Sequence, residues 1–193
     1  MTGERIILAS RSPRRIKILK DHGIEAEVIP SERDERLPFR MTPADAAMYL
    51  SLVKAADVSE RNEDACVIAS DTVVSVSGEI LGKPEDEEDG FRMLSMLRGR
   101  VHQVISGLCI ISPAEDLKIC AYDRTDVKVA DITDGQLREY LATPEPYDKA
   151  GAYAIQGAFG KYIIGTEGSV LNVIGFPWEK FAKIMSGTRV IPD

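Results

Sequence analysis

The sequence predicts an α/β protein, and three observations carry that expectation. Two short apolar runs, Ile6-Ile7-Leu8-Ala9 and Ala65-Cys66-Val67-Ile68-Ala69, each end in polar residues, as buried strands do when they deliver side chains to a site. Helix-start signals, Ser12-Pro13 and Thr42-Pro43, stand between them. Later, two long β-rich runs flank the turn-forming segment Pro113-Ala114-Glu115-Asp116.

In chain order, Arg5 to Ser10 reads as a strand, and Ser12 then caps a helix from Pro13 to about Asp21 that stops at Gly23. Arg14 and Arg15 sit at the positive end of that helix, where acids would be favoured. They form either a solvated pair or, with the free N–H groups of the helix start, a cradle for a phosphate. Glu25 to Ile29 is a second strand, and Ser31 to Pro38 is a polar loop from which no single acid stands out. Thr42-Pro43-Ala44-Asp45 opens a helix to about Ser59, with Lys54 on an otherwise apolar face. Residue pattern alone favours a lysine snorkelling to water there.

The buried run Ala65 to Ala69 is expected to end at Ser70-Asp71-Thr72. If it runs parallel to the first strand, Ser10 and Asp71 emerge on the same side, where ligands of α/β sheets bind. Val73 to Val76 and Glu79 to Leu81 read as a hairpin turning at Ser77-Gly78. Lys83, in Gly82-Lys83-Pro84, suits a phosphate or a base carbonyl and equally suits solvent. The acids Glu85 to Asp89 favour the start of a helix from Asp86 to Leu97 that Gly99 ends. Val101 to Ile111 and Leu117 to Ile132 alternate like antiparallel strands, and Thr133-Asp134 caps a helix to about Ala142. The small-residue stretch from Tyr147 to Gly157, beside Lys149, Tyr153 and Gln156, permits either close approach of backbone to a ligand or tight helix packing. A strand at Tyr162 to Ile164 and a helix from Glu179 to Met185 complete the reading.

Composition narrows the function. The 193 residues suffice for one core, and no linker or repeat divides them, so residues 1–193 are expected to form a single domain. A net charge of −7 with no basic segment argues against nucleic acid as the main partner. No membrane span or signal peptide is expected, and Cys66, Cys109 and Cys120 read as reduced core thiols of a cytoplasmic protein. With only 2 histidines, His22 and His102, a histidine-rich metal site or a serine–histidine–acid triad is poorly supplied. Neither GxxxxGK[ST] nor GxGxxG occurs after a strand. What remains is an arginine pair at a helix start, scattered carboxylates and separate lysines, an inventory that suits Mg2+-assisted chemistry on a polyphosphate.

Several ordered blocks then resemble the Maf family of nucleoside triphosphate pyrophosphatases: Ile7 to Arg15, Asp34-Glu35, Lys54-Ala55, Ser70 to Val74, Leu81 to Pro84, and Asp148 to Gly157. The resemblance spans nearly the whole chain. It implies an elongated mixed β-sheet flanked by helices, related to inosine triphosphate pyrophosphatases and usually homodimeric. It implies hydrolysis between the α and β phosphates with a divalent metal, Mg2+ or in its place Mn2+ or Co2+. Mapped onto this chain, Ser10, Arg14, Arg15, Lys54 and Lys83 match phosphate- and substrate-binding positions, and Glu35 and Asp71 match the acids near metal and attacking water. Glu35, Asp71 and Lys83 are thereby the expected catalytic set, Asp71 being the proton acceptor, and the bland readings of Lys54 and Glu35 give way.

Within the family, Arg14, Thr72 and Gln156 match the subgroup acting on dTTP and UTP. An aromatic residue, a glutamine and a glutamate typify the 7-methylguanosine triphosphate subgroup. Two departures, Ser106 for a common threonine and Phe176-Pro177-Trp178 for an aliphatic run, are expected to leave the chemical motifs untouched. The competing readings are a nucleotide-binding regulator of septum formation and a 7-methyl-GTP-type pyrophosphatase.

Overall fold

Seven strands form one mixed sheet in the computed structural model, which describes residues 5–186. The strands are β1 (Arg5–Leu8), β2 (Glu27–Val28), β3 (Ala65–Val76), β4 (Glu79–Leu81), β5 (Val101–Ser112), β6 (Leu117–Val129) and β7 (Ile163–Glu167). The helices are α1 (Pro13–Asp21), α2 (Pro43–Ser59), α3 (Glu87–Leu97), α4 (Asp134–Leu141), α5 (Val170–Ile174) and α6 (Trp178–Met185). The sheet order is β2-β1-β3-β5-β6-β7, with β4 paired to β3. β1 lies parallel to both β2 and β3, while β3, β5, β6 and β7 pair antiparallel in turn. The parallel half comes from the strand–helix alternation at the start of the chain, and the antiparallel half from the alternating runs after residue 100.

Local signals explain most element ends. Thr42 Oγ1 accepts from the Asp45 N–H to start α2, and Thr133 with Gln136 forms a full capping box at α4. Ser12 holds the N-cap position of α1 but makes no side-chain cap bond. The β3–β4 turn places Ser77 at φ 53° and Gly78 at φ 80°, as a two-residue hairpin requires.

Three expectations change. β3 does not stop at Ala69 but continues to Val76, so Asp71 lies inside a strand. Backbone pairing to β5, Asp71 opposite Gly107 and Thr72 opposite Ser106, carries the ladder through the polar residues. The stretch after Pro144 is neither a helix nor an open loop but a succession of short 3-10 turns, with Gly151 at φ 68°. Cys66 and Cys109 are buried thiols as expected, whereas Cys120 is exposed on β6. The helix α5, short and preceded by Gly168-Ser169, was not anticipated.

The sheet is covered on both faces. On one, α2 packs Ala55 and Val58 against Val67, Ala69 and Cys109, and Ala47 and Leu50 against Val73 and Ile105. On the other, Leu8, Ile68 and Leu108 meet α1 and α6, and Val74, Val104 and Val127 meet α3 and α4. Gly107 sets the height of α2: a β-carbon there would lie 2.1 Å from the Ala47 carbonyl oxygen. The missing side chain therefore lets α2 approach β5 directly across from Asp71.

Candidate active site

Along one edge of β3 the cover changes strands. β1 pairs with it as far as Ile68, and β4 takes over only at Val74. Between them Ser70, Asp71 and Thr72 have β5 on one side, and on the other Asp71 and Thr72 face a cavity of about 640 Å³. Strand alternation points Asp71 toward α2 and Thr72 toward α1 and α5, so the uncovered edge gathers groups from both faces. Ser10, Arg14, Arg15, Glu35, Lys54, Asp71, Thr72, Lys83 and Gln156 all line this one cavity. Every residue singled out from the sequence is thus brought together.

On the α2 face, Lys54 joins the two acids. Its ammonium donates to Asp71 Oδ1 and lies 2.8 Å from Glu35 Oε1. The Lys54 and Asp71 side chains are each 12% exposed, so this ammonium does not snorkel to water. Glu35 is the outer member, more than half exposed. Partial burial would raise its carboxyl, but the hydrogen bond and charge of Lys54, with Lys83 and Arg15 behind, hold it below the ordinary value.

On the other face, Arg15 turns back from α1 and uses its whole fork. Nε donates to Gly175 O at 2.8 Å, and the terminal nitrogens donate to Ser10 Oγ and Thr72 Oγ1, each at 3.2 Å. Loss of solvent pulls its pKa below the usual value, Asp71 opposes the shift and Arg14 adds to it; a guanidinium stays charged regardless. Thr72 Oγ1 also lies 2.8 Å from Ser106 Oγ, which donates to Asn172 O at 2.9 Å. Ser106 has one hydroxyl proton, so Thr72 supplies the proton between the two hydroxyls. The chain of donation runs Arg15 to Thr72 to Ser106 to Asn172. Asn172, fully buried, is pinned in turn by Ser106 N, Val104 O and Thr125 Oγ1.

This network corrects one expectation. Ser106 does touch the chemical motifs, since it holds Thr72; the neighbouring contact to Arg15 comes from the backbone carbonyl of Gly175, just before Phe176-Pro177-Trp178. Asn172 and Gly175 were missed. The available signal was a polar residue inside the apolar run Val170 to Ile174, which on burial demands partners.

The rest of the cavity comes from the 3-10 segment. Asp148 and Lys149 pair with one another, and the charge of Arg14 adds to that pairing in holding the Asp148 carboxyl low. Tyr153 lines the wall and lies 2.6 Å from Nε2 of buried His102. Burial drives the His102 imidazole down to about 4, so the pair is neutral near pH 7. Gln156 and Lys83 are exposed at the cavity rim.

Among the described residues, no three His, Cys, Asp or Glu side chains cluster as a metal cage. Asp71 and Glu35 share one ammonium, each through a single oxygen. Such a donor set does not enclose an ion. It fits one that takes one or two carboxylates and completes its shell with water and substrate phosphate.

Comparison with known proteins identifies the family. A family profile described as Maf-like protein matches residues 5–188. A protein of Clostridium perfringens named dTTP/UTP pyrophosphatase is 43% identical over 183 residues, covering 94% of this chain and 95% of its own. Proteins of the same name from Caldicellulosiruptor bescii (43% identical, 90% and 89% covered) and Bacillus cereus (38% identical, 93% of each covered) align as extensively. Among solved structures, the Staphylococcus aureus Ham1 protein matches 83% of this chain and 94% of its own at 17% identity and TM-score 0.49, too loosely to carry an argument. A profile spanning every described residue, with relatives this similar over about nine-tenths of their length, places the chain in the Maf family.

Proposed function

We propose that the chain hydrolyses dTTP and UTP between the α and β phosphates, giving the nucleoside monophosphate and pyrophosphate. The observation that carries this reading is the convergence of an acid–lysine–acid cluster with Arg14, Arg15 and Lys83 in one cavity. The names of the relatives supply the substrate class. A regulator that only binds nucleotide needs a cation cluster but no carboxylate positioned beside it.

In this reading Arg14, Arg15 and Lys83 hold the phosphates and offset charge that grows on the leaving pyrophosphate. Asp71, on a rigid strand, orients the attacking water and takes its proton. Lys54 bridges Asp71 and Glu35, and Glu35 with Asp71 would hold the divalent ion. When bound, that ion would polarise the phosphate oxygens and lower the pKa of water. The proposal extends to Mg2+, replaceable by Mn2+ or Co2+, to a cytoplasmic location and to a homodimer, all carried over from the family resemblance. No helix among the described residues is long and apolar enough to cross a membrane.

The decisive experiment is product analysis on the purified chain with dTTP and a divalent metal. Stoichiometric dTMP and pyrophosphate are expected; dTDP and inorganic phosphate as primary products would reject α–β cleavage.

Substrate choice is tested separately. Gln156 carries an amide donor and acceptor at the rim, matching the mixed edge of thymine or uracil. Gln156→Glu is expected to lower dTTP and UTP turnover relative to 7-methylguanosine triphosphate by about tenfold or more, because an unmatched base edge leaves polar groups unpaired. Thr72→Gln is expected to shift the ratio the same way while lowering all substrates, since the Thr72 hydroxyl already holds Arg15 and Ser106. Equal loss for all substrates in Gln156→Glu would remove Gln156 from base recognition.

A further inference from the structure

Glu35 is the one acid of the cluster that stands on a loop, between β2 and α2, and a loop residue needs something to place it. The structure offers an anchor outside the cavity lining. Asp57, three residues after Lys54 on α2, collects the start of that loop: its Oδ2 accepts from Ser31 Oγ at 2.9 Å and from the Glu32 N–H at 3.0 Å, and its Oδ1 from Arg33 Nε at 3.2 Å. Arg61, one turn further along, donates to Oδ2 at 3.0 Å and balances the charge. The Asp57 side chain is 11% exposed, although its arginine partners reach it from solvent. Partial burial would raise its carboxyl, yet the Glu32 and Ser31 hydrogen bonds and the arginines hold it below the ordinary value.

We infer that Asp57 is a positioning residue for Glu35, acting through the Ser31–Glu35 loop. One helix then grips that loop twice. Asp57 takes the three residues at its start, and Lys54 takes Glu35 at its end. Residues three apart on a helix share a face, so the two grips have a fixed separation. The loop between them is held at both ends by a rigid element, which delivers Glu35 beside Asp71 on β3. Asp57 itself is not among the residues that line the cavity. The inference rests on the proposed hydrolysis for its kinetic consequence but not for its structural one, and the test separates them.

Two measurements on Asp57→Ala decide it. Hydrogen exchange of the segment 31–36 reads the anchor without any turnover, and the Glu32 amide is expected to lose protection while the amides of α2 keep theirs. In steady-state hydrolysis, kcat is expected to fall about 10- to 100-fold, the range for loss of an outer-shell partner, and the apparent activation constant for Mg2+ to rise, with KM for dTTP nearly unchanged. In a Glu35→Gln background the same substitution should add little, because the group it positions is already gone. Arg61→Ala, which leaves all three loop contacts in place, serves as the control and should keep both protection and turnover. If Asp57→Ala fails to fold, Ser31→Ala with Arg33→Met removes the two side-chain contacts of the loop, leaves the Glu32 N–H bond and the helix intact, and is read by exchange of the segment 31–36 because both residues line the cavity. Unchanged protection, or lost protection with kcat and metal activation unaltered, overturns the inference, as does full additivity with Glu35→Gln. If the wild type does not hydrolyse nucleotides at all, the proposed function fails and the exchange result alone decides whether Asp57 anchors the loop.

Discussion

Asp71→Asn is expected to lower turnover by about 10²-fold or more, the range typical of general-base loss, while nucleotide binding and the fold persist. The side chain sits inside β3, paired on one side to Gly107 of β5, so its position is set by the sheet rather than by its own charge. Asparagine has nearly the same shape and keeps an oxygen to accept the Lys54 proton, but it cannot take a proton from water. A purely structural role makes a different forecast. If Asp71 only neutralises Lys54, asparagine leaves that ammonium with Glu35, 2.8 Å away and still ionised. Stability would then drop by less than the roughly 3–5 kcal/mol of a fully broken buried pair, and activity would follow the amount of folded protein. Rapid-quench turnover with a thermal melt on the same sample separates the two. A near-normal kcat, or a loss explained entirely by unfolding, removes Asp71 from the role of proton acceptor.

Much of the scaffold is legible in the residues, because local rules act on it. Threonine caps at Thr42 and Thr133, the Ser77-Gly78 turn and the alternation of Val101 to Ile111 need no tertiary information to read. Asp71 shows where that stops. Ser70-Asp71-Thr72 looks like the end of a strand, since polar residues rarely continue a buried run, but the ladder with β5 and the gap between β1 and β4 let β3 carry them in its middle. Lys54 and Glu35 are ambiguous for a related reason. A lysine on an apolar helix face and an acid in a charged loop each have an ordinary solvated explanation, and only their meeting at Asp71 excludes it. Family resemblance pointed to these residues; periodicity and spacing did not. The Thr72–Ser106–Asn172 relay and the Gly175 carbonyl stayed hidden because they join segments up to 160 residues apart through groups with no distinctive local pattern.

Arg15 is expected to be far less replaceable than its neighbour Arg14, though the two differ by one position. Arg15 reaches three acceptors on three segments: Ser10 after β1, Thr72 on β3 and Gly175 after α5. A planar fork can satisfy all three at once, whereas an ammonium on a flexible stem can reach one or two. Arg15→Lys therefore keeps the charge but withdraws the shortest donor from the Gly175 carbonyl, which keeps Ser70 Oγ at 3.3 Å, and loosens Ser10 and Thr72, at a cost of about 1–3 kcal/mol for each buried acceptor left unpaired. The lower end applies here because the cavity admits water to Ser10 and Thr72. Since Thr72 leads on to Ser106 and Asn172, the loosening extends into the sheet edge that carries Asp71. We expect kcat/KM for dTTP to drop about 10²–10³-fold in Arg15→Lys, on the scale of losing one oriented donor at a charge-developing centre, together with a lower melting temperature. Arg14→Lys, which keeps a cation facing the cavity, should cost tenfold or less and leave the melt unchanged. The comparison is read from kcat/KM and melting temperature for both variants. Equal losses at the two positions would show that Arg15 contributes only its charge, and that its fork across Ser10, Thr72 and Gly175 is incidental to catalysis.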